Sequence, residues 1–311
     1  MLEALRTDLV DIDPKPFDVC IVGHVTRDVI RSGDARRSGA GGVAYYASLA
    51  LHRLGRRVAV ITKMAKEDRE ELLSELEREG ITVFSGDSTE TTVFDNEYCE
   101  GNLDSRVQTV TSVAEPFTSS DLGSVSARWF YLGPLLSCDM SVEFVETVEK
   151  RGKVALDAQG LIRKIEGKEI HSVRPAETKE LIGPVSLLKV DADEAATLSE
   201  ANGREDAARR LHAFGPQEVI LTFGSKGSMI FENGRFYVID PIAGKEVDAT
   251  GCGDTYLAAY LDRRLASNDP GFSGRFAAAA ATLALEQEGA FCAGAPEVYT
   301  HMRITDTTPR S

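Results

Sequence analysis

Short apolar runs recur along the chain at Val19–Val22, Val58–Ile61, Arg128–Leu132, Val154–Leu156, Val185–Lys189 and Val219–Leu221. Each run is nearly continuous rather than alternating, the mark of strands covered on both faces. Between them, Ala44–Leu54, Arg69–Glu79, Val142–Lys150, Asp193–Glu200 and Glu205–Phe214 carry helical spacing of apolar positions. This alternation predicts an α/β fold, a mostly parallel sheet between two layers of helices. One stretch breaks the rhythm. Thr91–Cys99 and Ser105–Val113 are β-rich and flanked by polar residues, which predicts an antiparallel hairpin in a second, smaller sheet. The expected folded unit is 17–300, with 85–113 as a β lid, 25–40 as a candidate addition to it, and 1–16 and 301–311 as tails.

Composition narrows the partners. A formal net charge of −14 over 311 residues argues against a non-specific nucleic-acid surface, which needs Lys and Arg to neutralise phosphates. An anionic substrate would need a local cationic site. The apolar runs are too short to span a bilayer, and residues 1–16 lack the layout of a signal peptide, so a soluble, cytoplasmic protein without a membrane partner is expected. The five cysteines are an odd set without a CxxC pair, which argues against a disulfide framework or a structural zinc site.

Three glycine-rich segments carry the candidate chemistry. In Asp248-Ala249-Thr250-Gly251-Cys252-Gly253-Asp254, ahead of the helical pattern Tyr256–Leu265, the glycines free the backbone and let successive amides point into one cavity. Such a turn at a helix N-terminus favours a phosphoryl group in transfer. Asp254 would stand beside that group and accept the proton of an attacking hydroxyl; its other reading is a helix N-cap. Thr222, Gly224 and Gly227 form a second turn that suits a nucleotide but also fits an ordinary hairpin. Gly41 and Gly42, ahead of the first helix, permit close approach by a ligand or make a plain loop. Asp28 follows the first strand, near the carboxyl edge where open α/β sheets bind ligands, and could grip substrate hydroxyls. There is no GxxxxGK[ST] or GxGxxG element of the P-loop and dinucleotide types.

In this order the segments resemble the PfkB carbohydrate kinases and their ribokinase-like fold, over about Phe17 to Gly289. The most specific match is Asp248 to Asp254, similar to the family's D-T-x-G-x-G-D. The resemblance implies Asp254 as catalytic base and Gly251, Cys252 and Gly253 as anion hole. It implies Asp28, Gly41, Gly42, Tyr46 and Asp157 at the acceptor, and Thr222, Gly224, Gly227, Asp191 and Asp248 at the nucleotide. Glu194 would hold Mg²⁺, mainly through water, beside ATP. Asp191 replaces the family's usual Asn, Ala249 removes a signature hydroxyl, and Tyr46 stands where sugar kinases of the family carry a sugar-binding Asn. Gly23-His24-Val25-Thr26-Arg27-Asp28 and Gly133-Pro134 resemble the inositol-kinase-like branch.

The expectation is therefore an ATP-dependent kinase that phosphorylates a hydroxyl of a small sugar, polyol or cyclitol, inositol-like by preference. It would be a monomer or a homodimer. The alternatives are a nucleoside or other sugar kinase of the same family, or a non-catalytic nucleotide- or metabolite-sensing protein on the same fold.

Overall fold

The computed structural model describes residues 16–32, 35–99 and 102–307. The large sheet is built from Phe17–Val22 (β1), Val58–Met64 (β4), Thr82–Asp87 (β5), Ala127–Leu132 (β8), Lys153–Asp157 (β9), Leu187–Asp191 (β12), Glu218–Thr222 (β13), Ser228–Glu232 (β14) and Arg235–Ile239 (β15). The small sheet takes Thr26–Ser32 (β2), Ala35–Gly41 (β3), Val93–Cys99 (β6), Asn102–Ser112 (β7), Arg163–Glu166 (β10) and Glu169–Ser172 (β11). The helices are Val43–Arg53 (α1), Arg69–Arg78 (α2), Val142–Glu149 (α3), Thr178–Ile182 (α4), Ala192–Ser199 (α5), Arg204–His212 (α6), Cys252–Arg264 (α7), Pro270–Leu285 (α8) and Ala295–Thr307 (α9).

The large sheet runs β15-β14-β13-β12-β9-β8-β1-β4-β5 and is parallel except at β14 and β15, which close it as an antiparallel edge. Its period-two side-chain pattern sorts the core into two layers. On β1, Val19 and Ile21 face the side covered by α1, α2, α7, α8 and α9, while Cys20 and Val22 face α3 to α6. Burial on both sides explains why these strands read as unbroken apolar runs.

The small sheet runs β10-β11-β7-β6-β2-β3, with β2 parallel to β6 and the other pairs antiparallel. The hairpin expected between Thr91 and Val113 is its centre, although β7 starts at Asn102 rather than Ser105. The segment 25–40 supplies β2 and β3. The outer pair β10–β11 was not expected, since Arg163–Ser172 is short and mostly polar, with little apolar alternation to mark it. At the carboxyl end, α9 continues past 300 to Thr307, because Val298 and Met302 pack into the core; this corrects the tail expected from residue 301. The tail expected at 1–16 lies, apart from Pro16, outside the described residues.

Candidate active site

Strand parity gathers one group of polar side chains under the start of α7. Tyr131, Ala155, Leu187 and Ile220 lie on the α7 side of the sheet, so Asp157 and Lys189, two positions beyond Ala155 and Leu187, point the same way. Lys189 and Asp157 are register partners on β12 and β9. Lys189 Nζ donates to Asp157 Oδ2 at 2.8 Å, with both side chains buried. Asp157 Oδ1 also accepts from the Gln159 amide at 3.2 Å. The Tyr131 hydroxyl is buried beside Asp157 and Asp254, without a hydrogen bond of good geometry.

Above this floor, Gly251 takes the left-handed conformation (φ 74°) and is the N-cap of α7, with no side-chain cap. Asp254 is thus the third residue of the helix and is not its N-cap. The first intrahelical bond runs from Thr255 N–H to Gly251 O at 2.8 Å, so the Gly253 and Asp254 amides precede the ladder, as the first amides of a helix do. The Cys252 amide instead turns to Ala249 O at 3.3 Å. Burial, seconded by the Asp157 charge and then Asp28, pushes the Asp254 carboxyl up to about 7, against the pull of Lys189. Burial and the nearby Asp248 and Asp254 likewise push the Cys252 thiol up, which leaves it protonated and a poor nucleophile.

Beside Asp254's helix and under the small sheet lies a cavity of about 180 Å³, walled by Asp28, Arg37, Tyr46, Asn96, Asp248 and Thr250 among others. Asp28 Oδ1 accepts from Thr26 Oγ1 at 2.7 Å. Gly41 has a protein-side reason to be glycine, because a Cβ there would overlap the Asp28 carboxylate. Gly42 has φ 86°, with His24 O only 2.5 Å from its would-be Cβ. The Tyr46 ring packs against Gly251, where an added Cβ would fall 2.5 Å from ring carbons. Asp248, assigned above to the nucleotide, lines this cavity and accepts from the Thr250 amide at 2.9 Å. Asn96 Oδ1 accepts from Gln108 Nε2 at 2.8 Å, and Gln108 Oε1 in turn accepts from Arg163 Nη2. Three strands of the small sheet are thereby tied to one cavity-facing amide.

On the other side of α7, Thr222, Gly224 and Gly227 form the tight turn between β13 and β14. Gly227 (φ 83°) packs its Cα against the backbone at Ile239 to Pro241, whereas a Cβ on Gly224 would meet nothing within 4 Å. Of these two glycines, Gly224 alone faces open space. Asp191 caps α5: its Oδ1 accepts from the Asp193 and Glu194 amides at 2.9 and 2.8 Å, and Glu194 Oε2 accepts from the Asp191 amide at 2.8 Å. Burial pushes the Glu194 carboxyl up, opposed by Lys189. No cluster of three or more metal-ligating side chains occurs among the described residues. The residues fit a magnesium ion held by donor phosphates and water, with Glu194 as an outer partner. A wider depression of about 420 Å³ at Gly203–Asp206 and Met229 contains none of these groups.

Lys189, Tyr131, Asn96 and Gln108 escaped the sequence reading. Lys189 alone left a signal, as a charge inside a run that reads as a doubly buried strand.

A parallel α/β sheet, a small sheet over its carboxyl edge, and a glycine turn leading into a helix that carries a partly buried aspartate together define a ribokinase-like phosphotransferase with a hydroxyl acceptor. The chain belongs to the pfkB family of carbohydrate kinases, whose family model matches residues 16–295. It is 26 % identical over 254 residues to a cytidine kinase of Thermococcus kodakarensis, covering 79 % of this chain and 87 % of that one. It is 26 % identical over 258 residues to an inositol 3-kinase of Arabidopsis thaliana, covering 78 % and 67 %. A pyrophosphate-dependent kinase in the ribokinase family, solved with a pyrophosphate analog and myo-inositol, superposes with a TM-score of 0.82 at 26 % identity, covering 91 % and 99 %. No helix among the described residues is long and apolar enough to cross a membrane.

Proposed function

We propose that this kinase transfers the γ-phosphoryl group of ATP to a hydroxyl of a compact, uncharged polyol or cyclitol, with an inositol-like ring ahead of ribose, fructose 6-phosphate or a nucleoside. The cavity beside the turn that leads into α7 carries this reading. At about 180 Å³ it is smaller than the roughly 300–1,000 Å³ of drug-sized clefts. Its wall offers two carboxylates for hydroxyl pairs, the Asn96 amide, and the flat face of Tyr46 for a ring. Arg37 does reach the cavity, but it is more than half exposed and lies 3.5 Å from Glu288. One such cation among carboxylates is a poor seat for a second phosphate, which calls for convergent donors.

In the transfer step, Asp254 takes the proton of the attacking hydroxyl as the new oxygen–phosphorus bond forms and the bond to the leaving phosphate breaks. A carboxyl held near 7 is a stronger base than an ordinary aspartate. The Gly253 and Asp254 amides and the α7 dipole stabilise the charge on the transferring group. When bound, Mg²⁺ would offset the charge of the donor's phosphates, with Glu194 as its outer partner.

The inositol-binding relatives support the cyclitol, while the cytidine kinase supports a second reading, a nucleoside acceptor. Pyrophosphate is the rival donor, on the strength of the pyrophosphate-dependent relative. A matrix of ATP and pyrophosphate against inositol isomers, ribose, fructose 6-phosphate, cytidine and adenosine tests all three points, with the product's phosphate position read by NMR. Ribose or a nucleoside giving at least about tenfold higher kcat/KM than every inositol isomer would overturn the acceptor. Turnover with pyrophosphate but not ATP would overturn the donor.

A further inference from the structure

We propose that Lys189 is a positioning residue of the transfer site, supplying the positive charge that backs the Gly251–Gly253 turn and is shared between Asp157 and Asp254. This role rests on the phosphoryl-transfer reading above. Lys189 Nζ lies 3.2 Å, and Cε 3.7 Å, from where a Cβ on Gly253 would stand. The ammonium therefore sits directly beneath the turn that would cradle the transferring phosphoryl group, and a Cβ at 253 would press against it. Its bond to Asp157 at 2.8 Å fixes it there, and the pairing of β9 with β12 fixes both residues.

The charges around it explain why an uncharged residue would not serve. Asp157 from β9, Asp254 from α7 and Glu194 from α5 face Lys189. Tyr131 from β8, Tyr46 from α1 and Asp28 from β2 complete the surroundings of Asp254. Although burial disfavours its charge, the surrounding carboxylates hold Lys189 protonated. A transferring phosphoryl group would add negative charge above a floor already rich in carboxylates. A buried cation behind the turn lowers that repulsion where screening by water is weak.

The test pairs Lys189→Met with Lys189→Met/Asp157→Asn, because the single change leaves Asp157 buried and unpaired and can compromise folding. In both variants kcat is expected to fall about 10²-fold, and in the single variant the acceptor KM should stay within about threefold of wild type. The acid limb of the kcat–pH profile should move to higher pH in the single variant, where Asp157 and Asp254 lose their shared cation, and not in the double variant. A double variant that keeps wild-type kcat overturns the proposal, since Lys189 would then only balance Asp157. The kinase reading and the lysine's role fail separately. If wild type turns over no acceptor with ATP or pyrophosphate, that reading falls, and the ¹³C titration midpoint of Asp254 in substrate-free protein decides the lysine. A midpoint that rises in Lys189→Met upholds the shared charge, and an unchanged midpoint removes it.

Discussion

Replacing Asp254 with asparagine is expected to lower activity and raise stability at neutral to alkaline pH. Asparagine keeps the shape of the side chain and the amides at the start of α7 but cannot accept the hydroxyl proton, so turnover should fall about 10²- to 10⁴-fold with ATP binding retained. The stability gain follows from the carboxyl, which rises from 3.8 to about 7 in the folded chain. Three units correspond to roughly 4 kcal/mol of strain in the ionised form. The side chain is only partly buried, so solvent screening brings this to about 2 kcal/mol. A group that binds its proton more tightly when folded leaves the native state unburdened below about pH 4, and its cost grows as pH rises to about 7. The asparagine variant escapes that cost. Urea unfolding should therefore favour the variant at pH 8, and the difference should shrink towards pH 4. Steady-state turnover and isothermal ATP binding complete the assay. Wild-type-like turnover would refute the base, and lower stability at pH 8 together with lost ATP binding would mean that Asp254 holds the helix start instead.

Three further changes probe the surroundings. Gly251→Ala combines a left-handed backbone cost of roughly 1–2 kcal/mol with overlap on the Tyr46 ring worth roughly 1–3 kcal/mol. Gly55→Ala, at φ 87° with no atom within 4 Å of the new Cβ, is its control; equal losses in urea unfolding would show that the Tyr46 contact is irrelevant. Asp28→Ala should raise the acceptor KM by about tenfold or more while the ATP KM stays within about twofold, and parallel changes in both would remove Asp28 from the acceptor. Truncating the β6–β7 hairpin beyond Asn96 and Gln108 should raise ATP hydrolysis relative to transfer, because the small sheet would no longer exclude water; an unchanged ratio and acceptor KM would rule out a lid.

The chain's local patterns determined much of this molecule. Apolar runs buried on both faces announced β1, β4, β8, β9, β12 and β13, and helical spacing announced α1, α2, α3, α5 and α6, though not the short α4, because each pattern is set by residues close in sequence. The turn from Asp248 to Asp254 was legible for the same reason, since its chemistry lies in seven consecutive residues. Tertiary structure alone decided what met what. The pairing of Lys189 with Asp157 depends on β9 and β12 becoming neighbours. The tie from Arg163 through Gln108 to Asn96 depends on β10, β11, β7 and β6 joining one sheet, and β10–β11 carries too little apolar alternation to announce itself. Asp248 was assigned to the nucleotide by its place in the motif, and only the fold shows that it lines one cavity with Asp28, Tyr46 and Asn96. Spacing along the chain fixes the backbone's turn, whereas the side of the turn that meets a ligand is fixed by the elements packed around it: here α1 with Tyr46, and the small sheet with Asp28 and Asn96.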